Sequence, residues 1–341
     1  MHHLQLPRNN TLQGLRGKTT RAADDADYTQ KDRLARALSE SVTAIAAIAP
    51  MLCEPDVRTT QVSQLLHGHV AHVIERRGLW LNIKCADAYT GWVHQGYVVT
   101  IPEPVPALAE TGWNDPRPLS LGCTVRDERG ATRKLPLGAL ITDGQERISG
   151  LAMTLEERRG SFPAAADSIT ASAMTFFEGT SYEWGGVTPW GCDCSGLVSS
   201  SFQLHGVRVP RDAWMQAMTG EPVASMQDLR PADLLFFSDE PDGRITHVAI
   251  SLGETRVVHL ALGRGGHAID DLTSPEEYTE LLVRRYRFGR RVLGGGKREA
   301  GGWKREAGRG NREAGGGKRE AGSGTREADR GRGLTASTIA Y

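Results

Sequence analysis

The sequence predicts an α+β protein, in which short β-rich regions precede a domain built from a helix and a run of antiparallel strands. Two observations carry this expectation. Between about residues 40 and 165, apolar residues alternate with polar ones in short runs punctuated by glycine, the period of half-buried strands. Between about residues 166 and 292, a helical period gives way to consecutive strand-like runs.

In the first region, His69–Glu75, Leu79–Lys84 and Ala88–Val93 read as strands, separated by Gly68, Gly78 and a turn at Ala86–Asp87. Several short strands at close spacing predict a small barrel over 39–105. Pro102, Pro104 and Pro106 then mark a linker. A second short-strand region, 106–165, holds Thr124–Gly130 as strand and turn and Leu135–Ile141 as a strand, consistent with a second small barrel. In the third region, 166–292, Asp167–Phe177 has a helical pattern, and a Gly- and Trp-rich loop runs from Gly179 to Asp193. A further helix starts near Cys194 and carries Leu197, Val198, Phe202 and Leu204 on one face. Pro231–Phe237, His247–Ser251 and Arg256–Leu260 follow as strands.

The ends differ in kind. Residues 1–38 are polar and read as disordered or loosely helical. From Lys297 a seven-residue unit, KREAGGW and its variants, repeats in tandem within the segment 293–341. A coiled coil is excluded because the apolar seam is missing and glycine fills two or three positions per unit, so a disordered tail is expected.

Lys and Arg together number 41 and so do Asp and Glu, a balance that gives no case for nucleic acid or an anionic membrane as the main partner. The five cysteines, Cys53, Cys85, Cys123, Cys192 and Cys194, are odd in number and irregular in spacing, unlike a disulfide framework. No stretch approaches the roughly 20 apolar residues of a membrane span. Val42–Leu52 is apolar, follows Lys31, Arg33 and Arg36, and ends at Cys53, which imitates an export signal. Its depth in the chain, Glu40 before it and the large Leu52 at the would-be cleavage site favour an apolar strand instead, and with it a cytoplasmic protein.

The chemistry centres on Asp193–Gly196. A cysteine in the first turn of a helix feels unpaired backbone N–H groups and the positive end of the macrodipole, and both favour thiolate. Asp193 works against that unless its charge is held elsewhere. A nucleophilic cysteine needs a base. His247 opens one strand and His259 lies near the end of the next, so a short turn at Gly253–Thr255 brings both imidazoles to one edge of a sheet. From spacing alone, other readings stay open: Cys194 as core filler, the histidines as satisfied interior residues, or a zinc site from Cys192, Cys194, His247 and His259.

Tyr182–Gly186, Asp193–Leu197, Val209–Asp212, Gln216, Pro231–Leu234 and His247–Ile250 stand in an order that resembles the NlpC/P60 cell-wall peptidases, over about residues 166–292. The regions before it are similar to bacterial SH3-like domains, with Gly91–Val93 the clearest fragment. The layout resembles the YkfC-like γ-D-glutamyl-L-diamino-acid endopeptidases, which act on peptidoglycan stem peptides. The resemblance implies a papain-like domain after two SH3-like domains, with Cys194 as nucleophile, His247 as general base, His259 as orienting residue and Tyr182 near the oxyanion. It implies substrate contacts at Asp193, Ser195, Asp212 and Ala213, with Tyr89 and His69 contributed by the first β-rich domain. Asp212 would bind the free N-terminal amine of L-Ala. Two departures bear on this: His69 stands where an acid is expected, and Ala213 where serine is common. No cofactor or metal is implied. The expected partners are peptidoglycan-derived peptides, and the chain is expected to be a monomer. A Cys–His amidase or acyltransferase of the same fold and a non-catalytic wall-binding protein are the competing readings.

Overall fold

Gly68 has φ of +76°, and a Cβ there would come within 2.8 Å of the Leu140 carbonyl oxygen, so the turn needs glycine for both backbone conformation and space. This is where the first β-rich region meets the second. A computed structural model describes residues 40–101 and 112–294. The expectations for 1–38, the proline linker and the repeat tail lie outside the described residues.

The first region is one seven-stranded antiparallel sheet: β1 (Ser41–Ala44), β2 (Ile48–Leu52), β3 (Gln61–Leu66), β4 (Val70–Arg77), β5 (Trp80–Lys84), β6 (Thr90–His94) and β7 (Val98–Ile101), in the order β3-β2-β6-β5-β4-β1-β7. Alternation supplies its core, with Val42, Ala49, Met51, Val73, Leu81, Ile83 and Val93 all buried. The apolar run Val42–Leu52 is thus two strands rather than one, broken at Ile45–Ala47. The Ile45 amide bonds the Tyr97 carbonyl and the Ala47 carbonyl accepts from the His67 amide, so this break turns the chain between two parts of the sheet.

The second region is a three-stranded sheet, β8 (Leu119–Asp127), β9 (Thr132–Leu135) and β10 (Gln145–Met153), in the order β10-β8-β9. The strand expected over Leu135–Ile141 is corrected: β9 ends at Leu135, and beyond it only Leu140 makes an isolated bridge, to Leu119. Pro136 has no N–H to give a ladder, which ends the strand there. A short helix, α1 (Leu155–Ser161), follows, opened by a capping box between Thr154 and Glu157 that the reading of short strands passed over.

The third region holds helices α2 (Ala166–Phe176), α3 (Cys194–Leu204), α4 (Ala213–Gln216) and α5 (Glu277–Arg285). A small hairpin, β11 (Val187–Thr188) and β12 (Gly191–Cys192), precedes α3. The main sheet is antiparallel: β13 (Glu221–Val223), β14 (Leu234–Phe237), β15 (His247–Gly253), β16 (Arg256–Ala261), β17 (Gly266–Asp271) and β18 (Tyr286–Arg291), ordered β13-β18-β14-β15-β16-β17. All four residues of β14 are buried, because the sheet is covered on both faces. Leu234, Phe236, Val248, Ile250, Val258 and Leu260 pack with Ile169 and Ala173 of α2 and Leu197, Val198 and Phe202 of α3. Leu235, Phe237, Ala249 and Val257 pack with Leu282 of α5. A buried helix α3 against β15 is what brings the nucleophile candidate to the histidine strand. Among the described residues no helix is long and apolar enough to cross a membrane.

Candidate active site

Asp193 caps α3, and its Oδ1 accepts from the Gly196 amide at 2.7 Å. The next residue, Cys194, is therefore held in the first helical turn. Gly196 is required by packing, since a Cβ there would lie 2.1 Å from the Gly186 carbonyl oxygen. Cys194 is buried, and the backbone N–H of Val248 hydrogen-bonds its sulfur, which sets the nucleophile candidate beside the start of β15. Burial pushes the thiol up to about 12, reinforced by the charge of Asp193; the Val248 and Ser195 N–H groups pull the other way. The helix start favours thiolate as expected, but burial outweighs it. His247 is held well below the usual histidine range, chiefly by burial and further by the charge of Arg285. The resting pair is a thiol and a neutral imidazole.

His247 Nε2 lies 2.9 Å from His259 Nδ1, so the two strands bring the imidazoles together. His259 is fully buried, and its Nε2 lies 2.8 Å from Asp270 Oδ2. Asp270 was not anticipated from the sequence. Strand alternation held the signal: His259 pairs with Ala268 across β16 and β17, which puts Asp270, two residues on, on the same face. Tyr182 hydrogen-bonds through its backbone to Gly265, and its hydroxyl is pushed up by burial and then by the nearby Cys194, so it stays protonated and able to donate.

Arg211 is the second group missed. Its buried guanidinium gives Nη2 to Asp193 Oδ2 at 2.7 Å, Nη1 to Asp193 Oδ1 at 3.1 Å and to Ser195 Oγ at 2.9 Å, and Nε to Ser63 Oγ of β3 at 3.2 Å. Ser195 Oγ donates to Asp193 Oδ1 at 3.0 Å, and the Gly185 amide takes Oδ2 at 2.9 Å. The polar side-chain atoms of Asp193 and Ser195, both expected as substrate contacts, are thus engaged by this network within the protein. The negative charge beside Cys194 is held by Arg211. Gln216 adds a tie, donating from Nε2 to the Ser195 carbonyl at 3.0 Å and the Pro210 carbonyl at 2.8 Å.

Asp212, next to Arg211, faces the first sheet. Tyr89 donates its hydroxyl to Asp212 Oδ1 at 3.0 Å, and Trp214 Nε1 donates to Oδ2 at 3.3 Å. Burial pushes the Asp212 carboxyl up, partly countered by the Arg211 charge. Both named donors to this carboxylate are neutral. Ala213 opens α4 beside it with no polar side-chain atom. His69 turns inward: its Nε2–H donates to the Gly138 carbonyl at 2.7 Å, which ties the first region to the turn after β9, and burial drives its pKa down to about 4. Glu183, a further missed residue, accepts from Gln61 at 3.0 Å and Gln64 at 3.1 Å, which fastens the first sheet to the loop before α3.

A buried cysteine at a helix start, beside two neighbouring strands that each carry one histidine of a bonded pair, is the arrangement of a cysteine peptidase of mixed α/β fold. Residues 179–285 match the model of the NlpC/P60 family, and the chain carries an NlpC/P60 cysteine peptidase domain. It is 29% identical over 249 residues to a γ-D-glutamyl-L-lysine dipeptidyl-peptidase of Bacillus subtilis, covering 67% of this chain and 80% of that one. It is 28% identical over 245 residues to dipeptidyl-peptidase 6 of Lysinibacillus sphaericus, covering 64% and 87%. A crystal structure of an NlpC/P60 family protein from Bacillus cereus aligns with a TM-score of 0.60 at 20% identity, over 74% of this chain and 99% of that one, and shows the shared fold.

Proposed function

We propose that this peptidase hydrolyses the amide between γ-D-Glu and a diamino acid in peptidoglycan stem peptides that begin with a free L-Ala. The observation that carries the reading is the half-buried Asp212 carboxylate, set between Tyr89, just before β6, and the exposed Trp214, with neutral hydrogen-bond donors. A substrate ammonium supplies the charge such a carboxylate needs. The named activity of the Bacillus subtilis relative, cleavage at γ-D-glutamyl-L-lysine, supports the bond chosen.

In this reading the γ-carbonyl carbon of D-Glu is attacked by Cys194 Sγ while the thiol proton passes to His247. Tyr182 and a backbone N–H near Cys194 steady the oxyanion. The tetrahedral adduct collapses as His247 returns the proton to the leaving amine, and a water then hydrolyses the acyl-enzyme with the same histidine as base. Residues 39–105 and 106–165 are read as two SH3-like domains ahead of the catalytic domain 166–292, the first closing the amine end of the groove. A short substrate with a free amine fits cytoplasmic turnover of released peptides, which cell fractionation tests directly.

The deciding assay offers L-Ala-γ-D-Glu-diaminopimelate and its N-acetylated form, with products read by mass spectrometry. The free peptide is expected to release L-Ala-D-Glu at least ~100-fold faster, the worth of about 3 kcal/mol for a buried charge pair. Cys194→Ala is expected to abolish release with no change in melting temperature. Equal rates on both peptides refute the amine site; undiminished release by Cys194→Ala refutes the mechanism. Transfer of the acyl group to an added amine in preference to water favours the acyltransferase reading.

A further inference from the structure

The histidine pair does not end at His259. Asp270 accepts at Oδ2 from His259, and Arg264 grips the same carboxylate, Nη2 to Oδ1 at 2.6 Å and Nε to Oδ2 at 3.3 Å. Arg264 Nη2 also reaches Glu276 Oε2 at 2.8 Å, and its guanidinium lies 4.5 Å from the centroid of the Tyr278 ring. That ring packs in turn at 6.2 Å from the His259 ring. The carboxylate is thus fixed on both oxygens by groups from β16 and the turn after it, and Arg264 is itself braced by Glu276 and Tyr278 at the start of α5.

We propose that Asp270, held by Arg264, is a positioning residue that sets the protons of the His259–His247 pair and so decides which nitrogen of His247 faces the reaction as a base. A carboxylate paired with a guanidinium is ionised and only accepts hydrogen bonds. Across 2.8 Å, His259 Nε2 therefore carries its proton toward Asp270. An imidazole with one proton there has a bare Nδ1. The 2.9 Å contact from that Nδ1 is then an acceptor for His247 Nε2–H. His247 is left with Nδ1 free, able to take the Cys194 proton. The opposite arrangement sets a lone pair of His259 Nε2 against the carboxylate, and it puts the His247 proton on Nδ1, where it cannot act as base. The relay runs through two imidazoles, so an error at Asp270 is passed to the reacting nitrogen without any contact between Asp270 and substrate.

This inference rests on Cys194 and His247 being the reacting pair. It does not depend on which peptide is cleaved. The other ionisable groups around the relay are His267 on β17, Arg264, Glu276, Tyr278 and Arg285, whose charge reaches His247. The first test therefore needs no substrate: ¹⁵N NMR of histidine-labelled full chain at neutral pH, assigned with His247→Gln and His259→Gln. The expected spectrum has Nε2 protonated and Nδ1 bare in both rings. A proton on Nδ1 of His259 overturns the proposal.

The second test is Asp270→Asn, which keeps size and can turn an N–H toward His259 Nε2, reversing the relay. On a cleaved peptide kcat is expected to fall roughly 10²- to 10⁴-fold, the scale seen when a catalytic histidine is held in the wrong tautomer. KM should change less than about threefold, and Asp270→Glu should restore kcat to within about tenfold, because the carboxylate rather than the packing is what matters. A kcat for Asp270→Asn within threefold of the parent overturns the proposal. So does a matched loss in Asp270→Asn and Asp270→Glu. If Asp270→Asn does not fold, the ¹⁵N spectrum of the parent protein still decides the proton positions.

Discussion

His69→Gln separates a structural histidine from a substrate-binding one. In the fold His69 is buried between the first two sheets and gives its Nε2–H to the Gly138 carbonyl. Burial lowers its pKa to about 4, from about 6.5 in the unfolded chain. Between those values the unfolded chain binds the proton and the native one does not, so stability rises with pH. The contribution is complete above pH 6.5 and is lost as pH falls toward 4. From pH 7.5 to pH 5 this one residue costs about 2 kcal/mol of stability. Glutamine keeps an N–H for Gly138 but does not titrate. Urea unfolding of the two proteins at pH 7.5 and pH 5 should thus show a loss about 2 kcal/mol smaller in His69→Gln, with the other buried histidines common to both. The kcat/KM on a free-amine peptide at pH 7.5 should stay within about threefold. An unchanged pH dependence refutes the buried neutral His69. A large rise in KM confined to free-amine peptides returns His69 to the amine site.

Two further predictions follow from the charges around Cys194. Arg211→Met leaves Asp193 buried without its cation, and unfolding should show a loss of roughly 3–5 kcal/mol; a loss under about 1 kcal/mol refutes the bracing role. His247 must be neutral to accept the thiol proton, and burial holds its pKa well below 6.5. The acid limb of kcat/KM should therefore lie below pH 6.5, with activity flat through that value as pH falls; a half-maximal point at or above 6.5 refutes the assignment.

The local pattern carried much of the third region. The helical period of Leu197–Leu204 and the continuous apolar runs Leu234–Phe237 and Val248–Ile250 follow from burial on one helix face and on both faces of the sheet, a property that sequence records directly. The same is true of Cys194 at a helix start and of the two histidines on successive strands. Leu135–Ile141 was misjudged because an apolar run looks alike in a strand and in a buried turn, and only the missing amide of Pro136 marks the difference. Helix α1 was passed over although its Thr154–Glu157 capping box is written in the chain.

What the sequence could not hold was pairing at a distance. Nothing near residue 193 announces that Arg211 takes up its charge, and nothing near residue 89 announces a contact with Asp212, 123 residues away. His69 shows the limit most sharply. Its position in the chain matches an amine-binding acid of the family it resembles, yet its nitrogen is engaged by a carbonyl of the turn after β9. The sequence by itself determined which residue types are available and, through periodicity, which face each one shares. Only the tertiary structure decided which of them meet, because a hydrogen bond or ion pair is fixed by a few ångströms in space, a distance that spacing along the chain does not encode.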